Sequence, residues 1–368
     1  MKRFTTLLSI SFLSFFFFLV QDSDAQTTSP TPPIQEETEV VKVASRLIVV
    51  PVSVTTPAGD PVMGLTVKDF RVAEEGKPQT LENVGSAENV PLEIALLFDV
   101  SASTDSMFKF QQETAAKFLQ EVLRGDDRAT IFTVGIKPVL VQSRDTAERA
   151  QTAVRSISPT KEQTAFYDSI RAAAEHLGKN SPSGRRKVIV VISDGEDTNS
   201  EGVLKAIWAA EEKVAANVQG EELRTLRVRA RDTAKAREQV RVLKSLQDAD
   251  TVFYSINPGG SSLQLNRMAQ FGQENLQKFA DDTGGTAYLP KFLPVDTKDQ
   301  HSNANNMRKN TALLETIFKQ LANELRAQYL LQYYSESEFP VNRFVKLSVG
   351  LQNPADRKLR ARQGYYVK

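Results

Sequence analysis

The chain of 368 residues has no cysteine, two histidines and one tryptophan. Without cysteine there can be no disulfide, thiolate metal site, iron–sulfur cluster, cysteine nucleophile or lipidated N-terminal cysteine. The two histidines, His176 and His301, are too few for a histidine-rich metal centre, and a Ser-His-Asp triad would have to use one of them. Charge of one sign is also lacking: 46 Lys+Arg face 45 Asp+Glu, a formal net charge of +1. A nucleic-acid partner calls for a basic excess, so none is expected. Hydrophobic residues at 40% and charged residues at 25% are ordinary for a globular protein, and the length allows about two domains.

Long hydrophobic runs are scarce too. Lys2 and Arg3 precede an apolar run over residues 7–20, followed by small residues at Ser23-Asp24-Ala25. The run falls short of the ~20 residues that span a bilayer. A basic start, a short apolar stretch and a small-residue cleavage site make residues 1–25 a signal peptide, which predicts export to the periplasm, the cell surface or the medium. No integral membrane segment is expected after its cleavage. Residues 26–39, rich in Thr, Pro and Glu, read as a flexible linker. An exported chain without disulfides must draw its stability from its core.

Residues 40–90 read as β, with β-branched runs at 47–50 and 52–54; Pro51 suggests an edge or a bulge. Over residues 91–326 strands and helices alternate. Continuous apolar runs at 94–98, 188–192 and 251–256 suit parallel strands covered on both faces. Further strands are expected at 129–134, 138–141 and 286–289. Helices are expected at 106–123, at 167–177 with a stop at Gly178, at 274–282, and at 311–325. A stretch at 203–247 is too long for one crossover and reads as a helical insertion. Residues 296–310 are polar and Asn-rich, which predicts a mobile loop. Residues 327–368 return to β and are expected to pack with 40–90. The fold class that follows is α/β: a Rossmann-like, doubly wound, mostly parallel sheet inserted in or flanked by a small β-sandwich of N- and C-terminal strands.

The strand at 94–98 runs into Asp99-Val100-Ser101-Ala102-Ser103, and the strand at 188–192 into Ser193-Asp194-Gly195. Between them lies Gln163-Thr164-Ala165-Phe166-Tyr167-Asp168. In an open α/β sheet the ends of such strands at a topological switch point are where ligands sit. Two neighbouring carboxylates call for a cation or a proton. Ser101, Ser103 and Thr164 offer neutral hard oxygens, and hard oxygens without His or Cys suit Mg²⁺ or Mn²⁺. Three hydroxyls plus waters leave an octahedral ion a ligand short, a place that a partner's carboxylate can fill.

Asp-x-Ser-x-Ser after an apolar strand, the downstream Thr, and Ser-Asp-Gly after another strand resemble the metal-ion-dependent adhesion site (MIDAS) of von Willebrand factor type A domains. The resemblance spans residues 92–325. It implies that Ser101, Ser103 and Thr164 touch the metal, and that Asp99 and Asp194 coordinate it or hold its waters. The flanks Gly64-Leu65-Thr66-Val67-Lys68-Asp69-Phe70 and Arg362-Gln363-Gly364-Tyr365-Tyr366 resemble the exported bacterial VWFA-related acidobacterial-type family. The chain departs from many relatives at Gln163, where they carry Gly, and in its longer insertion.

The expected function is that of a non-enzymatic adhesion-type module holding Mg²⁺ or Mn²⁺ and recognising an acidic side chain of a protein partner. The alternatives are a metal-dependent hydrolase or phosphatase, which has Ser101 where a second carboxylate belongs and no evident general base, and a metal-free scaffold. Other features have plainer readings. Glu196 and Asp197 read as solvated loop charges. Asp168 reads as a charge stabilising the start of its helix. The eight basic and four acidic residues over 221–244 read as a solvated helix face. His176 suits a helix C-terminus, and His301 reads as an exposed loop residue. Gly259-Gly260-Ser261-Ser262 is a loop without the Lys-Ser/Thr of a phosphate site. Trp208 is expected to anchor the inserted helix in a core.

Overall fold

The computed structural model describes residues 46–101, 105–214, 218–257, 267–295, 298–354 and 356–367; the side chains of 105–107 are not described. The signal-peptide and linker readings, Ser103 and the 259–262 loop lie outside these residues. Residues 44–368 belong to one compact unit. Among the described residues no helix is long and apolar enough to cross a membrane.

The centre is a six-stranded sheet. In chain order its strands are β5 (Leu92–Asp99), β6 (Arg128–Val134), β7 (Val139–Asp145), β8 (Arg186–Ile192), β9 (Thr251–Ile256) and β10 (Ala287–Tyr288), lying side by side as β10-β9-β8-β5-β6-β7. All pairs are parallel except β6 with β7. Every residue of β5 is buried, as a central strand covered on both faces requires. Alternation sorts its side chains. Leu92, Ile94, Leu96 and Phe98 enter a core with α1 (Asp105–Val122), α2 (Ala147–Ser156) and α7 (Gln300–Ala327). Ala95 and Leu97 enter the opposite core, with α3 (Phe166–Asn180), α5 (Gly220–Asp248) and α6 (Arg267–Thr283). Across the first core the rings of Phe118 on α1 and Phe318 on α7 stack at 4.8 Å. The chain leaves β5 toward β6 through α1 and reaches β8 through α3 on the other face. The C-terminal end of β5 is therefore the switch point.

The two ends of the described chain form two four-stranded antiparallel sheets. One contains β1 (Arg46–Thr55), β4 (Asn83–Ser86), β11 (Tyr329–Ser335) and β13 (Lys358–Ala361) in the order β13-β1-β11-β4. The other contains β2 (Phe70–Glu74), β3 (Lys77–Gln79), β12 (Phe344–Leu351) and β14 (Gly364–Tyr366) in the order β14-β12-β2-β3. Inward residues of both, among them Val50, Val52, Val72, Leu331, Tyr333 and Val345, share a third core. Pro51 sits at a local edge, although β1 becomes an interior strand just beyond it. Its partner β13 pairs only with residues 52–55, so Pro51 falls in the stretch flanked by β11 alone.

Several expectations need correcting. The polar 296–310 stretch is not a loop throughout, since α7 starts at Gln300. Asp299 accepts from His301 N at 3.0 Å as its cap, and Asn310 exchanges two 2.8 Å hydrogen bonds with the backbone of Leu293. Amide side chains thus hold this helical turn where no apolar stripe does. His301 accordingly sits in a helix. Helix α3 continues past Gly178 to Asn180. The insertion is a helix pair, α4 (Glu201–Glu211) and α5. Its Trp208 does not enter a core: it is 57% exposed. Trp208→Ser should therefore change stability by less than about 0.5 kcal/mol in urea unfolding. Basic residues of α5 are largely paired, Lys244 with Asp248 at 2.8 Å on the surface and Arg241 with the buried Glu238 at 2.6 Å, while Lys235, 2% exposed, is not part of a solvated face.

Candidate metal centre

Strands β5 and β8 pair up to Phe98 and Ile192, so Asp99 and the Ser193-Asp194-Gly195 turn emerge side by side at the same edge. Asp99 is 8% exposed, and both its oxygens are engaged. Oδ1 accepts from Ser101 N at 2.9 Å and from Ser101 Oγ at 2.6 Å. Oδ2 accepts from Ser193 Oγ at 2.6 Å, and that hydroxyl in turn accepts from Gly195 N at 3.1 Å. Ser193, wholly buried, thereby couples Asp99 to the loop that carries Asp194. The sequence alone assigns Ser193 no role. Its place directly after a buried strand, one residue before the acid, was the available signal.

Thr164 arrives from the loop before α3. Thr160 N donates to Val100 O at 2.8 Å and Ala165 N to Gly135 O at 2.7 Å, which draws this loop across the ends of β5 and β6. Thr164 N donates to Thr198 Oγ1 at 2.8 Å, while Thr198 N and Asn199 N donate back to Thr164 O at 2.9 and 3.0 Å. Its backbone is thus tied to the Asp194 loop, and its hydroxyl makes no hydrogen bond among the described residues. Asp99, Ser101, Thr164 and Asp194 therefore gather at one edge of the sheet; Ser103 lies outside the described residues.

The electrostatics of this edge are those of carboxylates short of positive charge. Burial pushes the Asp99 carboxyl up to about 6; the hydrogen bonds from Ser101 and Ser193 oppose this, and the charge of Asp194 adds to it. Asp194 opens to solvent at the rim, yet the protein packed around it still raises its carboxyl. Burial and the charge of Asp194 raise Glu196 as well. Asp197 is not the solvated charge that its neighbours suggested, being 2% exposed. It accepts from Ser200 Oγ and, at 3.3 Å, from Tyr167 N, so it ties α3 to the start of α4. Asp168 accepts from Glu201 N at 2.8 Å and so caps α4 rather than joining the site. His176 lies away from this edge, against Phe132 and Ser143.

Among the described residues no three His, Cys, Asp or Glu side chains group as a metal site. The donor set here is of another kind: two carboxylates with hydroxyls between them. Oxygen-only donors of this sort fit a hard divalent cation.

Comparison with known proteins agrees with this architecture. The von Willebrand factor type A domain family matches residues 94–196. No curated protein matches the chain. Solved structures similar to it include an aerotolerance-related membrane protein from Bacteroides fragilis, at 14% identity over 63% of this chain and 99% of that one, with a TM-score of 0.37. The PilB minor pilin from Streptococcus sanguinis is similar at 12% identity over 66% and 63%, with a TM-score of 0.41. Proximal thread matrix protein 1 from the mussel byssus, with a zinc-occupied MIDAS motif, is similar at 10% identity over 69% and 50%, with a TM-score of 0.38. Likenesses at these scores carry no inference about ligand or activity. The family match begins in β5 and ends just past Asp194, and thus encloses the strand ends that gather the site: residues 94–196 are similar to a von Willebrand factor type A domain.

Proposed function

We propose that this protein is an exported binding module that holds a divalent cation, Mg²⁺ or Mn²⁺, at Asp99, Ser101, Ser103, Thr164 and Asp194, and recognises an acidic side chain of a protein partner there. The observation that carries this reading is the pair of neighbouring carboxylates at the switch point, one buried and one open, with the Ser101 hydroxyl locked to the buried one at 2.6 Å. A bound cation would supply a Lewis-acidic position for an incoming carboxylate. Asp99 orients the Ser101 hydroxyl and carries charge behind it. Thr164 adds a hydroxyl that has no other partner among the described residues. Asp194 has one oxygen on Glu196 N at 3.0 Å, and the other has no hydrogen-bond partner among the described residues. Its exposure leaves the site open to a protein surface rather than enclosed for a small substrate.

Metal and carboxylate should therefore strengthen each other's binding, because linkage is reciprocal. Mg²⁺ affinity, measured by calorimetry in chloride and then in acetate at equal ionic strength, should be higher in acetate. Equal affinity in both salts would remove the carboxylate half of the reading.

A further inference from the structure

A single crossover helix would suffice between β8 and β9, yet the chain supplies the pair α4 and α5. Helix α5 sends buried polar side chains toward the loop that carries Asp194. Lys235 is 2% exposed, with its ammonium 5.9 Å from the centre of the Phe271 ring. Phe271 immediately precedes Gly272, whose would-be Cβ lies 2.5 Å from Asp194 O and 2.9 Å from Glu196 N, so the ammonium stands beside the loop of acids, and its charge acts on Asp197 there. One turn on, Gln239 Nε2 donates to Asn275 Oδ1 at 2.9 Å. Asn275, 1% exposed, also accepts from Tyr167 OH at 3.2 Å and donates through Nδ2 to Gly195 O at 3.2 Å. Tyr167 begins the helix that follows Thr164, so Asn275 joins α5, α3 and the Asp194 loop in one network. Between Lys235 and Gln239, Glu238 is buried against Gly202 and paired with Arg241, which fixes this face of α5 on α4.

We propose that the α4–α5 insertion sets the cation affinity of the site: Lys235 lowers it as a fixed positive charge beside the acidic loop, and Gln239 raises it by bracing Gly195 through Asn275. The inference rests on the metal reading above. Lys235 and Gln239 are positioning and tuning residues, not ligands. Their effects have opposite signs, because a fixed cation repels Mg²⁺ whereas a brace preorganises the loop.

The test is calorimetric titration of Mg²⁺ into the full chain for wild type, Lys235→Met and Gln239→Ala, with melting in chelator to establish that each folds. Lys235→Met should bind Mg²⁺ about three- to tenfold more tightly, an advantage that shrinks as salt rises. Gln239→Ala should bind it about fivefold more weakly, the change expected for one net hydrogen bond. Should Lys235→Met not fold, Lys235→Gln carries the same expectation. A merely structural role would lower both melting temperatures and leave both affinities at the wild-type value, and that result overturns the proposal. So does weaker binding in a folded Lys235→Met. Absence of saturable Mg²⁺ binding in the wild type would instead overturn the metal reading, and this inference with it.

Discussion

Replacing Asp99 by Asn should stabilise the metal-free protein near neutral pH while it destroys the cation site. The Asp99 carboxyl sits at about 6 in the folded chain against 3.8 when unperturbed. The folded state therefore holds this proton more tightly than the unfolded state does. Between about pH 4 and pH 6 the folded chain carries more protons, so stability falls as pH rises through that window and stays lowered above it. The full cost of the buried charge amounts to about 1–3 kcal/mol. Asparagine removes the charge and can still accept the hydrogen bonds from Ser101 and donate to Ser193 Oγ. Urea unfolding in chelator should thus find Asp99→Asn more stable than wild type by about 1–2 kcal/mol at pH 7.5, with the gain gone by pH 4. Saturating Mg²⁺ should reverse the order at pH 7.5, because only the wild type gains stability from binding. A variant less stable than wild type at pH 7.5 in chelator would show that Asp99 is structural, worth more for its hydrogen bonds than its charge costs.

The second large effect is expected at Gly195, where backbone geometry and the site coincide. Gly195 has φ of +77°, and a Cβ there would meet the Gly272 carbonyl oxygen and lie 2.7 Å from Leu276 Cγ. The Asp194 loop can lie this close to α6 only because both residues are glycine: a Cβ on Gly272 would itself stand 2.9 Å from Glu196 N. Gly195→Ala combines left-handed strain with overpacking against backbone, about 2–5 kcal/mol in all. Gly184 is the control. Its φ is +76°, with nothing within 4 Å of its would-be Cβ, so Gly184→Ala bears the strain alone, about 1 kcal/mol. Urea unfolding of both variants separates the two causes; equal losses would contradict the close approach of α6 to the loop.

How much of this was legible in the chain depended on how strongly local pattern and burial agreed. Residues 94–98 and 188–192 are short unbroken apolar runs, β-branched over 188–192 and each stopped by a polar turn, as doubly covered strands are, so β5, β8 and the acids that follow them were readable. The return of β pattern after Ala327 was equally plain, and β11 does pair with β1. Helix α2 escaped notice because it offers only a narrow apolar face, Ala150 and Val154, in a polar segment. The first turns of α7 escaped because side-chain amides, not apolar contacts, secure them. Trp208 misled because a large aromatic is usually buried, whereas α4 packs on α5 with a different face. At the site, residue types pointed to Asp99, Ser101, Ser103, Thr164 and Asp194 as candidates. What they hid was support from outside the motif. Ser193, Asn275 and Gln239 are ordinary polar residues whose importance lies in hydrogen bonds to partners distant in sequence, and one chain read alone does not display those.

The acids and hydroxyls at the end of β5 are proposed above to form a cation site. The most direct test is a calorimetric titration of Mg²⁺ into wild type, Asp99→Asn and Thr164→Val at pH 7.5. One saturable site in the wild type, absent in Asp99→Asn and weakened at least about tenfold in Thr164→Val, is the predicted result. Heats that are the same in all three proteins would contradict it, and would leave Asp99 and its hydroxyls as no more than the buried hydrogen bonds that close the end of a strand.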